Sequence, residues 1–302
     1  MIPAMVLAAG LGTRLRPLTD ELPKPLAWVG DKPMLFHIAM RLQSAGLKNV
    51  VVNAHHHADI LALSLANMPL PMRLSREVDL LGSAGGIANA KALLRQGDVL
   101  AWLGDILADV DIEELVKEHV RRRSDATLAI APLAVGMGPV GVGHHGEVVR
   151  LRGQIFGEEV MGAEFVGVQV MGARLRNALP EKGCFIADCY VPQLRAGARI
   201  TTIPIRGSWT NVGTVDEYLQ ANMMWLAERG LSAYVAPTAT VEPGVNLSSS
   251  VVGEGAKVIG QGDIRGCVIW PGATARAPLA HAIVTTRTIV SPLPPSTLRE
   301  SA

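Results

Sequence analysis

The sequence predicts an α/β fold, a mixed sheet covered by helices, followed by a short β-rich domain. Three observations carry this. Apolar strand-like runs alternate with helical patterns through the first half. Beyond Ala126 that order gives way to Gly-punctuated β elements. After Gly230 the composition turns to Val, Gly, Ala and Pro, with apolar residues recurring about every six positions.

The elements follow in order. Ala4 to Ala9 is a continuous apolar run, the mark of a strand buried on both faces. A helix near Pro33 to Ala45 ends at Gly46, and Asn49 to Asn53 is a second buried strand, followed by a helix near Ala58 to Met68. Met72 to Arg76 reads as a strand, Ser83 as the cap of a helix through Leu94, and Val99 to Leu103 as another buried strand. A helix at Ile112 to Arg122 has Asp109 and Asp111 as candidate caps. A strand then runs from Ala126 to Pro132, a Gly-rich hairpin lies around Val140 to Leu151, and a strand lies near Phe165 to Met171. The helix from Val215 to about Arg229 closes the first domain, residues 1–230, and carries Met223, Met224 and Trp225 as packing residues. In residues 231–290 the series Val235, Val241, Leu247, Val252, Val258, Ile264 and Val268 predicts a hexapeptide-repeat parallel β-helix, an ordinary all-β cap being the alternative. Residues 291–302, rich in Pro and Ser, read as a loose tail.

Of 302 residues, 49% are apolar and only 18% charged, which excludes a disordered chain and allows a large core. A formal charge of +1 gives no cationic face for nucleic acid or anionic lipid. Cys184, Cys189 and Cys267 form no CxxC pair, so they are expected to be reduced and packed. No basic residue precedes the apolar N-terminal run and no stretch is long enough for a bilayer, so a cytoplasmic location without membrane contact is expected. His55, His56 and His57 are consecutive and cannot all face one ion from a strand, so they read as a polar strand end; His144 and His145 read as a hairpin tip.

Chemistry concentrates in LAAGLGTRLRPLTDELPKPL, Leu7 to Leu26. Gly10 and Gly12 follow a strand directly, so backbone N–H groups can approach an anion, with Thr13, Arg14, Arg16 and Lys24 supplying donors and charge. The segment lacks the P-loop spacing and the third glycine of GxGxxG. On spacing alone it is either a phosphate loop or a Gly-bearing turn with solvated arginines. Asp105 ends an apolar strand, where an open α/β sheet places its ligands; it is either a ligand for a hard cation or a turn residue after Gly104.

LAAGLGTRLRPLT with PKPL resembles the signature of the sugar-1-phosphate nucleotidyltransferases, of the mannose-1-phosphate guanylyltransferase kind. The resemblance continues in DKPMLFHIAMRLQSAGLKNVVVNAHH, in LLGSAGGI at Leu80 to Ile87, in WLGD at Trp102 to Asp105, in EFVGVQVM at Glu164 to Met171 and in WTNVGTVDEYLQAN at Trp209 to Asn222. It implies a Rossmann-like mixed sheet, a left-handed β-helix at the C-terminus, and transfer of a nucleoside monophosphate from an NTP to a sugar 1-phosphate with release of pyrophosphate. GTP with mannose 1-phosphate or a related hexose or heptose phosphate is the first expectation. UTP, dTTP or a weakly catalytic regulatory subunit binding nucleotide sugars are the alternatives.

The resemblance makes Arg14, Lys24 and Asp105 the catalytic residues. It assigns Leu7 and Ala9 to the nucleotide, Gly10, Gly12 and Thr13 to its triphosphate, and Gly82, Ser83, Ala84 and Gly85 to the nucleobase. Gly141, Glu164, Gly167 and Asp188 fall to the sugar side. Asp105 and Asn211 become ligands of Mg²⁺, Asn211 standing where relatives carry Asp. The family's E-K-P segment has no counterpart in RGQIFGEEVMGAE. A homo-oligomer assembled through the C-terminal domain is expected.

Overall fold

Strands whose side chains alternate between two covered faces need apolar residues throughout; Ala4–Leu7, Val99–Leu103 and all of Val50–Ala54 but Asn53 meet that requirement, whereas the edge strand Met72–Arg76, with Arg73 and Arg76 exposed, does not. In the computed structural model, which describes residues 2–292, Ala4–Leu7 lies between Val50–Ala54 and Val99–Leu103, parallel to both. Met72–Arg76 runs parallel on the outside of Val50–Ala54. The spatial order is therefore Met72–Arg76, Val50–Ala54, Ala4–Leu7, Val99–Leu103, with the chain's winding reversing between the last two.

The sheet continues in mixed sense. Met161–Met171 pairs antiparallel with Val99–Leu103, Ala126–Leu133 and Val140–Val142, and Ile200–Pro204 runs parallel to Ala126–Leu133. The sequence reading began the long strand at Phe165 and missed Ile200–Pro204. The register of that strand against Ala126–Leu133 shifts between Phe165 and Gln169, around Gly167 at φ +75°.

One face buries Val6, Val52, Leu100 and Trp102 with the helix Met34–Ser44, whose inward residues Met34, Leu35, Ile38, Ala39 and Leu42 fall at helical spacing. The other buries Met5, Val51, Ala101 and Leu128 with the helix Gly82–Asn89 and residues Phe185 to Val191. That helix is shorter than expected, passing into a 3₁₀ turn at Ala90–Ala92. Asp111 does cap the helix Ile112–Arg122, accepting from Glu114 N–H at 2.9 Å, whereas Asp109 is held by Arg41 at 2.6 Å.

By internal contacts the chain divides into two units. The first comprises residues up to Leu11, Leu22–Leu26 and Met34–Asn211; the second comprises Gly12–Glu21, Ala27–Pro33 and the chain from Val212. The helix Val215–Ala227 thus groups with the second unit, ahead of the compositional change near Leu231. Within that unit Tyr218 donates to the Trp28 carbonyl and accepts from Trp270 Nε1 at 2.9 Å, and Asn222 Oδ1 accepts from Gly30 N–H at 2.8 Å.

From Tyr234 onward short strands stack in parallel. Tyr234 lies opposite Val251 and Val251 opposite Val268; Thr240 lies opposite Lys257 and Lys257 opposite Thr274. Each step is 17 residues. The next ladder steps from Val268 to Ile283, which is why a strict six-residue register slips along the sequence. The tail expectation falls, apart from Ser291 and Pro292, outside the described residues. Among the described residues no helix is long and apolar enough to cross a membrane.

Candidate active site

In an open α/β sheet the carboxyl ends of adjacent strands diverge where the winding reverses, leaving a crevice. Here that crevice is a pocket of about 290 Å³ in the first unit, lined from one strand by Leu7, Ala8, Ala9 and Gly10 and from the next by Leu103, Gly104 and Asp105. The two loops are clamped by a hydrogen bond from Gly104 N–H to the Leu7 carbonyl at 2.8 Å. Nothing lies within 4 Å of where a Cβ on Gly10 would stand, so its backbone is bare toward the open space.

Asp105 occupies a two-residue turn between Val99–Leu103 and Ile106–Ala108, and the buried Trp102 ties that turn by donating from Nε1 to the Ile106 carbonyl at 3.0 Å. Lys24, in the 3₁₀ turn Lys24–Leu26, reaches across the pocket to Asp105 Oδ2 at 2.6 Å. The lysine side chain is only 11% exposed and the carboxylate 32%, so the pair sits in the wall rather than in bulk water. It neutralises the pocket internally: a carboxylate suited to a cation and an ammonium suited to phosphate hold each other.

Asn211 ends the strand Trp209–Asn211, which pairs with Ile106–Ala108 and sets Asn211 opposite Ile106, one residue from Asp105. Its Oδ1 is buried without a hydrogen-bond partner. A buried carbonyl oxygen without a donor is costly, and a hard cation is a ligand that would satisfy it. No group of three or more His, Cys, Asp or Glu among the described residues could enclose a metal by itself. One carboxylate and one amide oxygen nevertheless fit Mg²⁺, which keeps several waters and takes substrate phosphates as ligands.

The third wall is the segment Leu80 to Ser83. Gly82, at φ +76°, lies so close to Gly183 that a Cβ would come 2.5 Å from the Gly183 carbonyl oxygen. Ser83 lines the pocket without being the helix cap that the sequence reading made it. It sits inside the helix, and its Oγ accepts from Phe185 N–H at 3.0 Å, leaving its own proton free to donate. Ala84 N–H donates to the Gly183 carbonyl at 2.9 Å, and Gly85 is buried against Glu181; both support the loop from behind and do not line the pocket.

Leu7, Ala9, Gly10, Lys24, Gly82, Ser83 and Asp105 thus meet at one pocket. Gly12, Thr13 and Arg14 belong to the second unit. There Gly12 is left-handed and its carbonyl accepts from Thr19 Oγ1 at 2.9 Å. The Arg14 guanidinium packs on Gly213, where a Cβ would lie 3.0 Å from it. Glu217 accepts from Gly213 N–H at 2.7 Å.

On the sugar side the outcome is mixed. Gly167 presses against Ile106 and Leu103, either side of Asp105's turn, and a Cβ would meet Ile106 Cγ1 at 2.6 Å. Glu164 is half-buried on the same strand, and burial raises its carboxyl above the usual range. Neither Gly141 nor Asp188 lines the pocket. Gly141 is accounted for by packing: the Arg150–Glu159 ion pair, 2.6 Å long, covers it and leaves no room for a side chain. Asp188 is a local turn residue, its Oδ2 accepting from Cys184 N–H at 2.7 Å.

Sequence reasoning passed over Asn53 and Glu77. Asn53 lines the pocket, and its signal was a polar amide near the end of the otherwise apolar run VVVNA. Of the histidines, His55 contacts the Glu77 carbonyl at 3.2 Å and His57 precedes a helix in left-handed conformation. Cys189 and Cys267 are buried and Cys184 half-buried, all three as free thiols; burial pushes Cys189 up to about 11.

Residues 3–152 match the family model for nucleotidyl transferases. The chain is 32% identical over 145 residues to a mannose-1-phosphate guanylyltransferase of Mycobacterium tuberculosis, a match covering 46% of this chain and 40% of that protein. It is 27% identical to a mannose-1-phosphate guanyltransferase of Yarrowia lipolytica, over 84% of this chain and 72% of the relative. Its fold matches HddC of Yersinia pseudotuberculosis complexed with GMP-PN, with a TM-score of 0.63 and 20% identity, covering 74% of this chain and all (100%) of the other. A putative glucose-1-phosphate thymidylyltransferase from Bacillus anthracis gives the same TM-score, 0.63, at 19% identity, over 74% and 95% of the two chains. The glycine-bearing strand end, the lysine–aspartate pair facing it and these matches together identify residues 3–152 as a nucleotidyl transferase domain, similar to that of the mannose-1-phosphate guanylyltransferases.

Proposed function

We propose that the protein transfers a nucleoside monophosphate from an NTP to a sugar 1-phosphate, releasing pyrophosphate, with GTP and mannose 1-phosphate or a related hexose or heptose phosphate as the preferred pair. The observation that carries this is the Lys24–Asp105 pair set opposite the bare backbone of Ala9 and Gly10 at the strand ends. The base preference rests on the LGSAGG form of the base loop and on the printed names of the relatives.

The reaction asks little of the protein as a nucleophile. The acceptor phosphate already carries an anionic oxygen, which bonds to the α-phosphorus while the bond to the β-phosphate oxygen breaks. What remains is to align two polyanions and offset their charge. Backbone N–H groups of Ala9 and Gly10 would hold phosphate oxygens, and Lys24, exchanging Asp105 for phosphate, would supply positive charge. By the motif, Gly12, Thr13 and Arg14 serve the leaving pyrophosphate; Arg14→Ala is the test of that assignment. Asp105 and Asn211 would hold Mg²⁺, which when bound draws negative charge from the α-phosphate. Glu164 and Gly167 are the residues proposed for the sugar. The parallel stack from Tyr234 is proposed to be a left-handed β-helix whose open end joins copies of the chain.

Pyrophosphate release from GTP, UTP and dTTP, each paired with mannose, glucose and heptose 1-phosphates, tests the activity. Silence across every pair would overturn it. The amide at Asn211 and the missing E-K-P segment favour one second reading, a subunit that binds nucleotide sugars with little turnover. Binding without turnover that Asn211→Asp fails to restore would support that reading instead. Sedimentation of the full chain tests the oligomer, and a monomer at micromolar concentration would count against it.

A further inference from the structure

Two buried side chains join loops that come from different strands. Asn53, 2% exposed, accepts at Oδ1 from Ala8 N–H and donates from Nδ2 to Glu77 Oε1, both at 2.6 Å. Glu77, 6% exposed, accepts at Oε2 from Leu81 N–H at 3.1 Å. Ala8 opens the glycine loop, and Leu81 opens the segment that leads to Gly82 and Ser83. A chain of three hydrogen bonds therefore runs from one pocket wall to the other, and Asn53 itself lines the floor between them.

Glu77 has no ion-pair partner among the described residues, so its charge is met by one amide and one backbone N–H. A buried carboxylate held this way is a poor source of stability compared with an apolar pair of similar size. What it provides is direction: each oxygen fixes one N–H vector. The packing enforces the arrangement, because a Cβ on Gly86 would stand 2.5 Å from Asn53 Nδ2 and 2.8 Å from Glu77 Oε1.

We propose that Asn53 and Glu77 are positioning residues that fix the phosphate loop and the base loop at one spacing, so that both ends of the nucleotide are gripped by a single preorganised cradle. The proposal rests on the nucleotidyl-transfer reading above. It assigns the pair to the nucleotide and not to the sugar phosphate, and it makes the polarity of the central hydrogen bond interchangeable.

Two single variants break the chain and one double variant rebuilds it in reverse. Asn53→Asp places two carboxylates face to face, and Glu77→Gln removes one of the two acceptors. In the double variant the new amide at 77 donates to the new carboxylate at 53, while Ala8 and Leu81 keep their acceptors and the net charge is unchanged. The facing carboxylates of Asn53→Asp and the unmet buried donor of Glu77→Gln each support a loss of about tenfold or more in nucleotide affinity. The KM for the sugar 1-phosphate should stay within about twofold. The double variant should recover nucleotide affinity to within about threefold. Gly86→Ala, which drives a methyl group into the pair without touching the pocket, should reproduce the single-variant pattern.

Calorimetric binding of GTP, UTP and dTTP, with melting temperatures recorded alongside, separates the outcomes. Lower melting temperatures with unchanged nucleotide affinity, or a double variant no better than either single, would overturn the positioning role. A wild-type protein that binds none of the three nucleotides would defeat the nucleotide reading itself.

Discussion

Each unit contains a buried hydrogen-bond network joining segments far apart in sequence, and the two networks differ in what they border. In the first, Ala8, Asn53, Glu77 and Leu81 are linked at the rim of an open pocket. In the second, Trp28, Tyr218, Asn222 and Trp270 are linked in packed surroundings, where burial pushes the Tyr218 phenol well up. The chemistry of the bonds is alike. A network facing empty space orients groups toward a ligand, whereas an enclosed one acts as a joint, and substitutions should divide along that line.

The largest effects should fall at the pocket. Lys24→Ala or Asp105→Ala should lower turnover by about 10²- to 10³-fold, since each removes charge from the reacting centre. Pyrophosphate release at saturating substrates measures it, and a loss under tenfold would break the contrast drawn here. In the second unit, Ile269→Ala, at a side chain 1% exposed, should cost about 2–5 kcal/mol of stability. Tyr218→Phe should cost about 1–2 kcal/mol by taking the hydroxyl donor from the Trp28 carbonyl and the acceptor from Trp270 Nε1–H. Denaturant titration reads both, and neither should change KM for the nucleotide by more than about twofold. A nucleotide effect from Tyr218→Phe would show that the joint also shapes the site.

Smaller effects sharpen the picture. Asn211→Asp should tighten Mn²⁺ binding several-fold by adding a charge beside Asp105, as followed by electron paramagnetic resonance in the presence of nucleotide. The smallest concerns His119, buried with Nδ1 3.0 Å from Thr127 Oγ1. Burial holds its pKa below the usual 6.5, although Asp98 and Asp125 pull the other way. The unfolded chain therefore binds the proton more readily, and stability falls as pH is lowered through about 6.5. The melting temperature should drop across that interval, and the slope should diminish in His119→Asn.

Much of the site could be read from residue order. An apolar strand followed at once by glycines and cations, with an aspartate ending another apolar strand, is local information, because strand ends and bare backbone are set within a few residues. What escaped was the regular strand Ile200–Pro204 and several single-residue features. Gly167 hides a bulge inside a strand, Ser83 bonds a residue 102 positions away, and Asn53 is a single amide in VVVNA. Gly141 and Asp188 were placed at the sugar by motif, yet their surroundings give each a packing or turn role. A motif records which residues are present and leaves open what else competes for them.

The sequence by itself determined the alternating layers, the family signature and the chemical types at the strand ends, because hydrophobic periodicity and backbone freedom act over short spans. Only the tertiary structure decided that Lys24 meets Asp105 and that Asn53 and Glu77 bind two loops into one wall. It also decided that the last helix groups with the C-terminal stack. Those outcomes depend on strand order and on which buried polar groups find each other, and the cost of leaving such a group unpaired acts across any separation in the chain.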